Sequence, residues 1–217
     1  MPDVTVMLGD ITTQHVDAVV NAANNGMRGG GGVDGAIHRA GGPAVLEDCI
    51  ERFPRGLATG DAGWTTAGAM PAQWVIHTVG PNYRAGQRDR ALLVSCYRRC
   101  LAIADELGAE TVAFPLISAG VYGWPHEDAV RVAIETLRAT PSTAQEARLV
   151  AFGRETLITA RSVFREVPRP SVSQPIDLPP TRAKLHAFAF ERAKDPASVT
   201  EAKFGGVFIG RPTADPQ

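Results

Sequence analysis

Two asparagines and an aspartate bracket an unusual run of glycines near the start of the chain. Asn21 and Asn24 precede the four glycines at 29–32, and Asp34 follows them. Glycine loses more backbone freedom on folding than any other residue, so four in succession indicate close approach to a ligand. Backbone N–H groups in such a loop, at the start of a helix, bind phosphate. We predict an anion-binding loop here; on glycine content alone, the alternative is a flexible solvent-exposed loop.

A second glycine-bearing loop, residues 118–125, follows the apolar segment 111–117 and precedes a helical pattern. Ligand-facing groups of α/β proteins gather at the carboxyl ends of parallel strands. Two glycine loops at that edge would clamp a pyrophosphate from both sides. Tyr122, in the second loop, is either a group that packs on a sugar and shields it from water or a structural aromatic residue.

Three further side chains have a functional and a structural interpretation each. Asp10, just after the first predicted strand, is placed either to accept a hydrogen bond from an exocyclic amine such as that of adenine or to cap the turn at Ile11 and Thr12. Phe152, at the end of the last strand, either stacks on a base or belongs to the core. His38, one helical turn after Asp34, either supports the site or is structural.

Residues 30–35 formally match the G-x-G-x-x-G dinucleotide fingerprint. In a dinucleotide-binding domain the first glycine directly follows the strand, whereas here about ten residues separate Val20 from Gly30. This spacing argues against a nicotinamide-dependent dehydrogenase.

The elements that would position these residues alternate along the chain. The patterns predict strands at 4–8, 17–21, 62–67, 74–79, 111–117 and 149–152, and helices at 33–40, 43–52, 91–107, 126–138 and 155–166. The continuous apolar run at 18–20 is typical of a strand covered on both faces. We therefore predict an α/β domain with three α/β/α layers around a mostly parallel, mixed central sheet.

The composition changes after Val167. A proline-rich stretch predicts an extended linker from residue 168, and alternating segments at 186–190 and 204–210 indicate short strands. We predict one main domain at 1–167 and a small extension at 168–217, too short for a core of its own and of unknown role.

Composition limits the function classes. The 217 residues are 44% hydrophobic and carry a formal net charge of −1, which provides no general attraction to nucleic acid or to an anionic membrane. We find no apolar run of about 20 residues and no signal-peptide pattern in the sequence, so we expect a cytoplasmic, membrane-free protein. The three cysteines lack metal spacing, and we expect neither a metal nor another cofactor.

Five motifs together resemble the macrodomain family, and most closely its MacroD-type hydrolase branch. They lie in the family's order at residues 9–12, 20–24, 29–38, 77–81 and 117–123. The resemblance covers residues 3 to about 166, roughly three quarters of the chain. It implies an α/β/α fold that binds ADP-ribose, and hydrolysis of mono-ADP-ribose from acidic protein side chains and of O-acetyl-ADP-ribose.

The resemblance also implies roles for individual residues. Asp10 would bind the adenine amine beside Ile11, Asn24 would hold the distal ribose, and Asp34 would be the principal catalytic residue, acting with Asn24 on a water molecule. Ala119 departs from the family pattern, where relatives often carry threonine; we expect a modest loss at most, because contacts in such loops come mainly from the backbone. The full predicted ADP-ribose set is Asp10, Ile11, Ala22, Asn24, Gly30, Gly31, Gly32, Val33, Asp34, Ser118, Ala119, Gly120, Val121, Tyr122 and Phe152.

The sequence therefore predicts a metal-independent hydrolase of mono-ADP-ribosylated proteins, most simply a monomer. The alternative is a non-catalytic module that binds ADP-ribose and releases it unchanged. Such a module would use the glycines and Asp10 but has no use for a water-orienting carboxylate at position 34. Removal of ADP-ribose from nucleic-acid ends stays open, as does whether Asp34 or a substrate phosphate takes the proton.

Overall fold

The computed structural model describes residues 1–168, which contain six strands and five α-helices. The strands are β1 (Asp3–Leu8), β2 (Ala18–Ala23), β3 (Ala62–Thr66), β4 (Trp74–Val79), β5 (Thr111–Phe114) and β6 (Glu146–Ala151). The helices are α1 (Gly32–Gly41), α2 (Pro43–Arg52), α3 (Arg90–Leu107), α4 (His126–Ala139) and α5 (Arg154–Glu166). Short 3₁₀ turns lie at Ile11–Thr13 and Tyr83–Ala85.

The six strands form one sheet in the order β1-β6-β5-β2-β4-β3. Every neighbouring pair is parallel except β3 and β4, which are antiparallel. The prediction of a mostly parallel, mixed sheet is confirmed. The carboxyl ends of β1, β2, β4, β5 and β6 consequently meet at one edge, and the loops that follow these strands lie there together.

Apolar side chains cover both faces of the sheet, as the continuous apolar run in β2 predicts. Ala18 and Val20 face a core built with α3, α4 and α5. Val19, between them, faces a second core that includes Ile37 of α1. Cys49 of α2 packs in a smaller cluster on this second side. The three-layer α/β/α arrangement is confirmed.

Two predicted strand boundaries are wrong by three residues, and β2 continues two residues past its predicted end, to Ala23. β5 ends at Phe114 instead of residue 117, because Pro115 has no N–H to continue the ladder. β6 begins at Glu146, three residues before the predicted start, because Glu146 pairs with Asp3 of β1 and Thr111 of β5. The predicted end of α3 agrees with the structure, where Gly108 adopts a left-handed conformation with φ of 68° as the C-cap.

Within residues 1–168, no helix combines the length and apolar character needed to cross a membrane. The predicted linker and the short strands at 186–190 and 204–210 lie outside the described residues. The extension at 168–217 therefore stays a prediction, with no role assigned.

Candidate functional site

A cavity of about 620 Å³ opens at the carboxyl edge of the sheet, between the first turn of α1 and the loop that follows β5. It is lined by every residue of the predicted ADP-ribose set except Gly30. The parallel strands explain this convergence, since residues far apart in sequence leave neighbouring strands at the same edge. The structure thus brings the predicted residues together; their roles in binding stay predictions.

Asp34 is the most enclosed charged group of the cavity, with only 4% of its surface exposed. Its Oδ1 accepts a hydrogen bond from Asn21 Nδ2 at 2.8 Å and lies 3.5 Å from His38 Nε2. Its Oδ2 accepts from Asn24 Nδ2 at 3.3 Å. Burial raises the pKa of Asp34 above its ordinary value, while the Asn21 hydrogen bond and the His38 charge oppose that rise. The result is a fixed carboxyl group at the cavity wall with an elevated proton affinity.

Asn24 bonds to the glycine loop in addition to Asp34. Its Nδ2 donates to the Gly29 carbonyl at 2.8 Å, and its Oδ1 accepts from the Gly26 N–H at 2.9 Å. Gly30 lies directly against this pair, because a Cβ atom there would be 3.0 Å from Asp34 Oδ2 and 3.1 Å from Asn24 Nδ2. Gly30 therefore supports the site from behind instead of lining the cavity, which differs from its predicted place.

The glycine loop leads into the N-terminus of α1, which lies at the cavity and has no side-chain cap. Gly31 is the N-cap of α1 and has no side chain to bond the N–H groups of the first turn. The loop also lies tightly on α1, since a Cβ atom at Gly35 would collide with the Gly30 carbonyl oxygen. Free N–H groups and the positive end of the helix dipole make this turn suited to an anionic group.

The second loop forms the facing wall. Ser118 is nearly buried and has a positive φ of 64°, and its carbonyl accepts from the Trp124 N–H at 3.0 Å. Gly80, after β4, lets this loop approach, because a Cβ atom there would collide with Ser118 Oγ. Tyr122 and Asp34 both line the cavity, and burial and the charge of Asp34 both raise the pKa of Tyr122.

The structural interpretation of Asp10 as a cap agrees with the structure, and its role toward adenine stays a prediction. Its Oδ1 caps the first 3₁₀ turn, accepting from both the backbone N–H and the hydroxyl of Thr12 at 2.8 Å. Asp10 also lines the cavity, and neither bond uses its Oδ2. Phe152 lines the same region with 88% of its surface exposed, so the interpretation of Phe152 as a core residue is wrong.

Asn21 and His77 are outside the predicted set of site residues, although both lie in the network around Asp34. Asn21 bonds Asp34, and its Nδ2 is also 3.0 Å from His77 Nδ1. A signal was present in the sequence, since each is a polar residue inside a mostly apolar parallel strand. His38 lies against Asp34, which favours the supporting interpretation over the purely structural one.

The described residues offer no preformed cation site: within 1–168, no group of three or more His, Cys, Asp and Glu side chains is arranged to hold a metal ion. The groups that the cavity presents are instead a carboxyl group with a raised pKa, the amide groups that hold it, and backbone N–H groups suited to phosphate.

Taken together, the fold and the cavity define an α/β/α domain with a cavity between two glycine loops. A sequence profile described as "Macro domain" matches residues 20–133. The chain belongs to this family.

Curated relatives and solved structures agree with this assignment. A macro domain-containing protein from Streptomyces nogalater is 56% identical over 70% of this chain and 86% of its own length. An O-acetyl-ADP-ribose deacetylase from Pantoea vagans is 47% identical over 71% of this chain and 94% of its own length. The Trypanosoma brucei macrodomain in complex with ADP-ribose superposes with a TM-score of 0.67 and 34% identity, covering 73% of this chain and 68% of that one.

Proposed function

We propose that this macrodomain binds ADP-ribose in the cavity and hydrolyses its esters, removing mono-ADP-ribose from acidic protein side chains and acetate from O-acetyl-ADP-ribose. One observation carries the proposal: a buried carboxyl group, Asp34, is held by two amides at the point where the two glycine loops face each other. The name of the Pantoea vagans relative and the ADP-ribose complex of the Trypanosoma brucei relative support the same substrate class.

The cavity has complementary groups for each part of ADP-ribose. The uncapped first turn of α1 and the second loop suit the diphosphate, because backbone N–H groups bind phosphate without adding side-chain charge. Asp10 and the exposed ring of Phe152 suit the amine and the face of adenine. This orientation leaves the distal ribose and its ester beside Asn24 and Asp34.

In the reaction, Asp34 orients a water molecule toward the ester of the distal ribose. Water adds, the ester bond breaks, and the products are the free carboxylic acid and ADP-ribose. The proton leaves the water for Asp34 or for a substrate phosphate. Burial favours Asp34 as acceptor because it raises the pKa of the carboxyl group, and general-base assistance contributes about 10²–10⁴-fold. Asn24 holds the carboxylate, and Tyr122, which lines the same cavity, would shield the site from bulk water.

A second candidate is a binding module without turnover. One observation favours it: both oxygens of Asp34 accept hydrogen bonds from protein amides, so the carboxylate also anchors the glycine loop. In that case Asp34 would be structural, and its removal would damage binding.

The two functions separate in one experiment on a protein automodified on glutamate and aspartate. Release of ADP-ribose is measured for wild type, Asp34→Ala and the isosteric Asp34→Asn, and each is titrated with ADP-ribose by calorimetry. We expect wild type to release ADP-ribose, and both variants to bind it while losing at least about 100-fold in turnover. Loss of binding in parallel with turnover would contradict the assigned role. Binding by all three proteins without release would identify a binding module, or a hydrolase of serine-linked or nucleic-acid-linked ADP-ribose.

A further inference from the structure

A row of polar side chains crosses the otherwise apolar sheet face beneath α1 and α2. Asn21 of β2 pairs in register with His77 of β4, and Thr65 of β3 lies one pleat along on the same face. All three have 0% of their surface exposed. Buried polar groups are costly unless they are hydrogen-bonded, so the partners of each atom define what the row does.

Each side chain of the row donates a hydrogen bond to the next, from Asn21 through His77 and Thr65 to the Thr66 carbonyl. Thr65 Oγ1 donates its only proton to the Thr66 carbonyl at 3.0 Å. The same oxygen lies 2.8 Å from His77 Nε2, so it accepts a hydrogen bond from that nitrogen. His77 Nε2 therefore carries the proton, and Nδ1 is left as an acceptor. Asn21 Nδ2 donates one N–H to this Nδ1 at 3.0 Å.

The second N–H of the same Asn21 amide points to the cavity and donates to Asp34 Oδ1 at 2.8 Å. Asn21 Oδ1 has no hydrogen-bond partner in the part of the chain that the structure describes. The two N–H bonds are therefore the hydrogen bonds that set the rotation of this amide. If His77 ceased to accept, no hydrogen bond on the inner side would keep the amide aimed at Asp34.

We propose that His77 is a positioning residue, whose Nδ1 holds the Asn21 amide in the rotation that fixes the Asp34 carboxyl group for reaction. His77 does not line the cavity and would act only through Asn21. The proposal rests on the proposed function for its kinetic consequence, but the hydrogen-bond arrangement itself is a property of the free protein.

The surroundings of His77 keep it neutral, as this arrangement requires. Burial lowers the pKa of His77 to about 3, and the neighbouring His38 of α1 contributes to the fall. Cys49 of α2, 3.7 Å from Nε2, stays an uncharged thiol because burial and nearby carboxylates raise its pKa to about 12. The remaining ring neighbour is Phe53, whose centroid is 6.5 Å away. At neutral pH His77 is thus an acceptor at Nδ1 and a donor at Nε2.

If His77 only filled space, the loss of activity on substitution would follow the volume of the new side chain and not its ability to accept a hydrogen bond. Two variants distinguish this case from a positioning role. His77→Asn leaves a smaller side chain but can present its Oδ1 where Nδ1 stood, so Asn21 keeps an acceptor. His77→Leu fills the space better but offers no acceptor. We expect kcat to fall about tenfold or more in His77→Leu and only a few-fold in His77→Asn, with ADP-ribose affinity nearly unchanged in both. Equal losses, or a larger loss in His77→Asn, would overturn the proposal.

Two NMR measurements on the same proteins do not depend on turnover. ¹⁵N-labelled histidine spectra of wild type should show the Nε2-protonated tautomer of His77, and Thr65→Val should shift that signal. ¹³C titration should show Asp34 gaining its proton at higher pH in His77→Leu than in His77→Asn, because a hydrogen bond from Asn21 favours the charged carboxylate. An Nδ1-protonated tautomer, or identical Asp34 titrations, would refute the positioning role. If these results hold while wild type releases no ADP-ribose, the proposed function is wrong and the positioning of Asp34 stands.

Discussion

Acidification should destabilise the folded protein measurably through His77. In the unfolded chain a histidine has a pKa of about 6.5, whereas burial lowers the pKa of His77 in the fold to about 3. Between these values the unfolded state binds one proton more than the folded state. Stability from this residue is therefore present above the unfolded pKa and lost as the pH falls below it, by about 1.4 kcal/mol per pH unit in the steep part.

The two pKa values set the size of the effect. Between pH 6 and pH 4, the wild-type free energy of unfolding should fall by about 2.5 kcal/mol more than that of His77→Gln, which lacks the titrating ring. The assay is urea unfolding of both proteins at pH 6, 5 and 4, comparing pH dependence rather than absolute stability. His15→Gln is the matched control, because it makes the same substitution at a histidine that is exposed instead of buried.

Parallel pH curves for wild type and His77→Gln would refute this reasoning, since they would mean that His77 binds a proton equally well in both states. A steeper curve for His77→Gln would reverse the sign and require a charged His77 in the fold. A change of slope in His15→Gln comparable to that in His77→Gln would show that burial is not the cause.

Two further predictions concern the cavity walls. Gly35→Ala should lower the free energy of unfolding by about 1–3 kcal/mol in urea titrations, because its Cβ collides with the Gly30 carbonyl. Gly31→Ala is the control and should have little effect, because a Cβ at Gly31 meets no other atom within 4 Å. Equal free energies of unfolding for Gly35→Ala and Gly31→Ala would contradict the tight packing of the glycine loop on α1. Phe152→Ala should weaken ADP-ribose binding about tenfold by calorimetry through lost base stacking, while Ile158→Ala, an exposed residue of α5 away from the lining, should not. Unchanged binding in Phe152→Ala would remove Phe152 from the adenine site.

The sequence was sufficient for the fold because its signals are local. Continuous apolar runs, as at Val19 and Val20, predict strands covered on both faces, and Gly108 predicts the end of α3. The meeting of the two glycine loops was predictable for a related reason, since residues that directly follow parallel strands gather at one edge. The individual residues of the predicted ADP-ribose set came from the resemblance to the macrodomain family. β5 was predicted too long because its apolar pattern continues to Ile117, past the proline at 115 that ends the ladder.

The network behind the cavity was not predictable, because it depends on contacts between strands. Asn21 and His77 are 56 residues apart in sequence, and only the pairing of β2 with β4 makes them neighbours. The direction of the bonds depends further on Thr65, which belongs to the edge strand. Sequence patterns identify a strand and its faces, whereas register between strands decides which polar residues meet.

The burial of Asp34 bears on the choice between a hydrolase and a binding module. Because burial raises its pKa, the folded protein holds this proton to higher pH than the unfolded chain does, and stability falls as the pH rises through that window. At neutral pH an uncharged asparagine at position 34 would avoid this loss and could still accept from Asn21. The same change would remove one of the two acceptors, because the asparagine Nδ2 would face either Asn21 Nδ2 or Asn24 Nδ2, which both donate to Asp34. The carboxylate thus anchors the glycine loop through both oxygens, and its raised pKa makes it a better proton acceptor for a water molecule, which supports the proposed hydrolase.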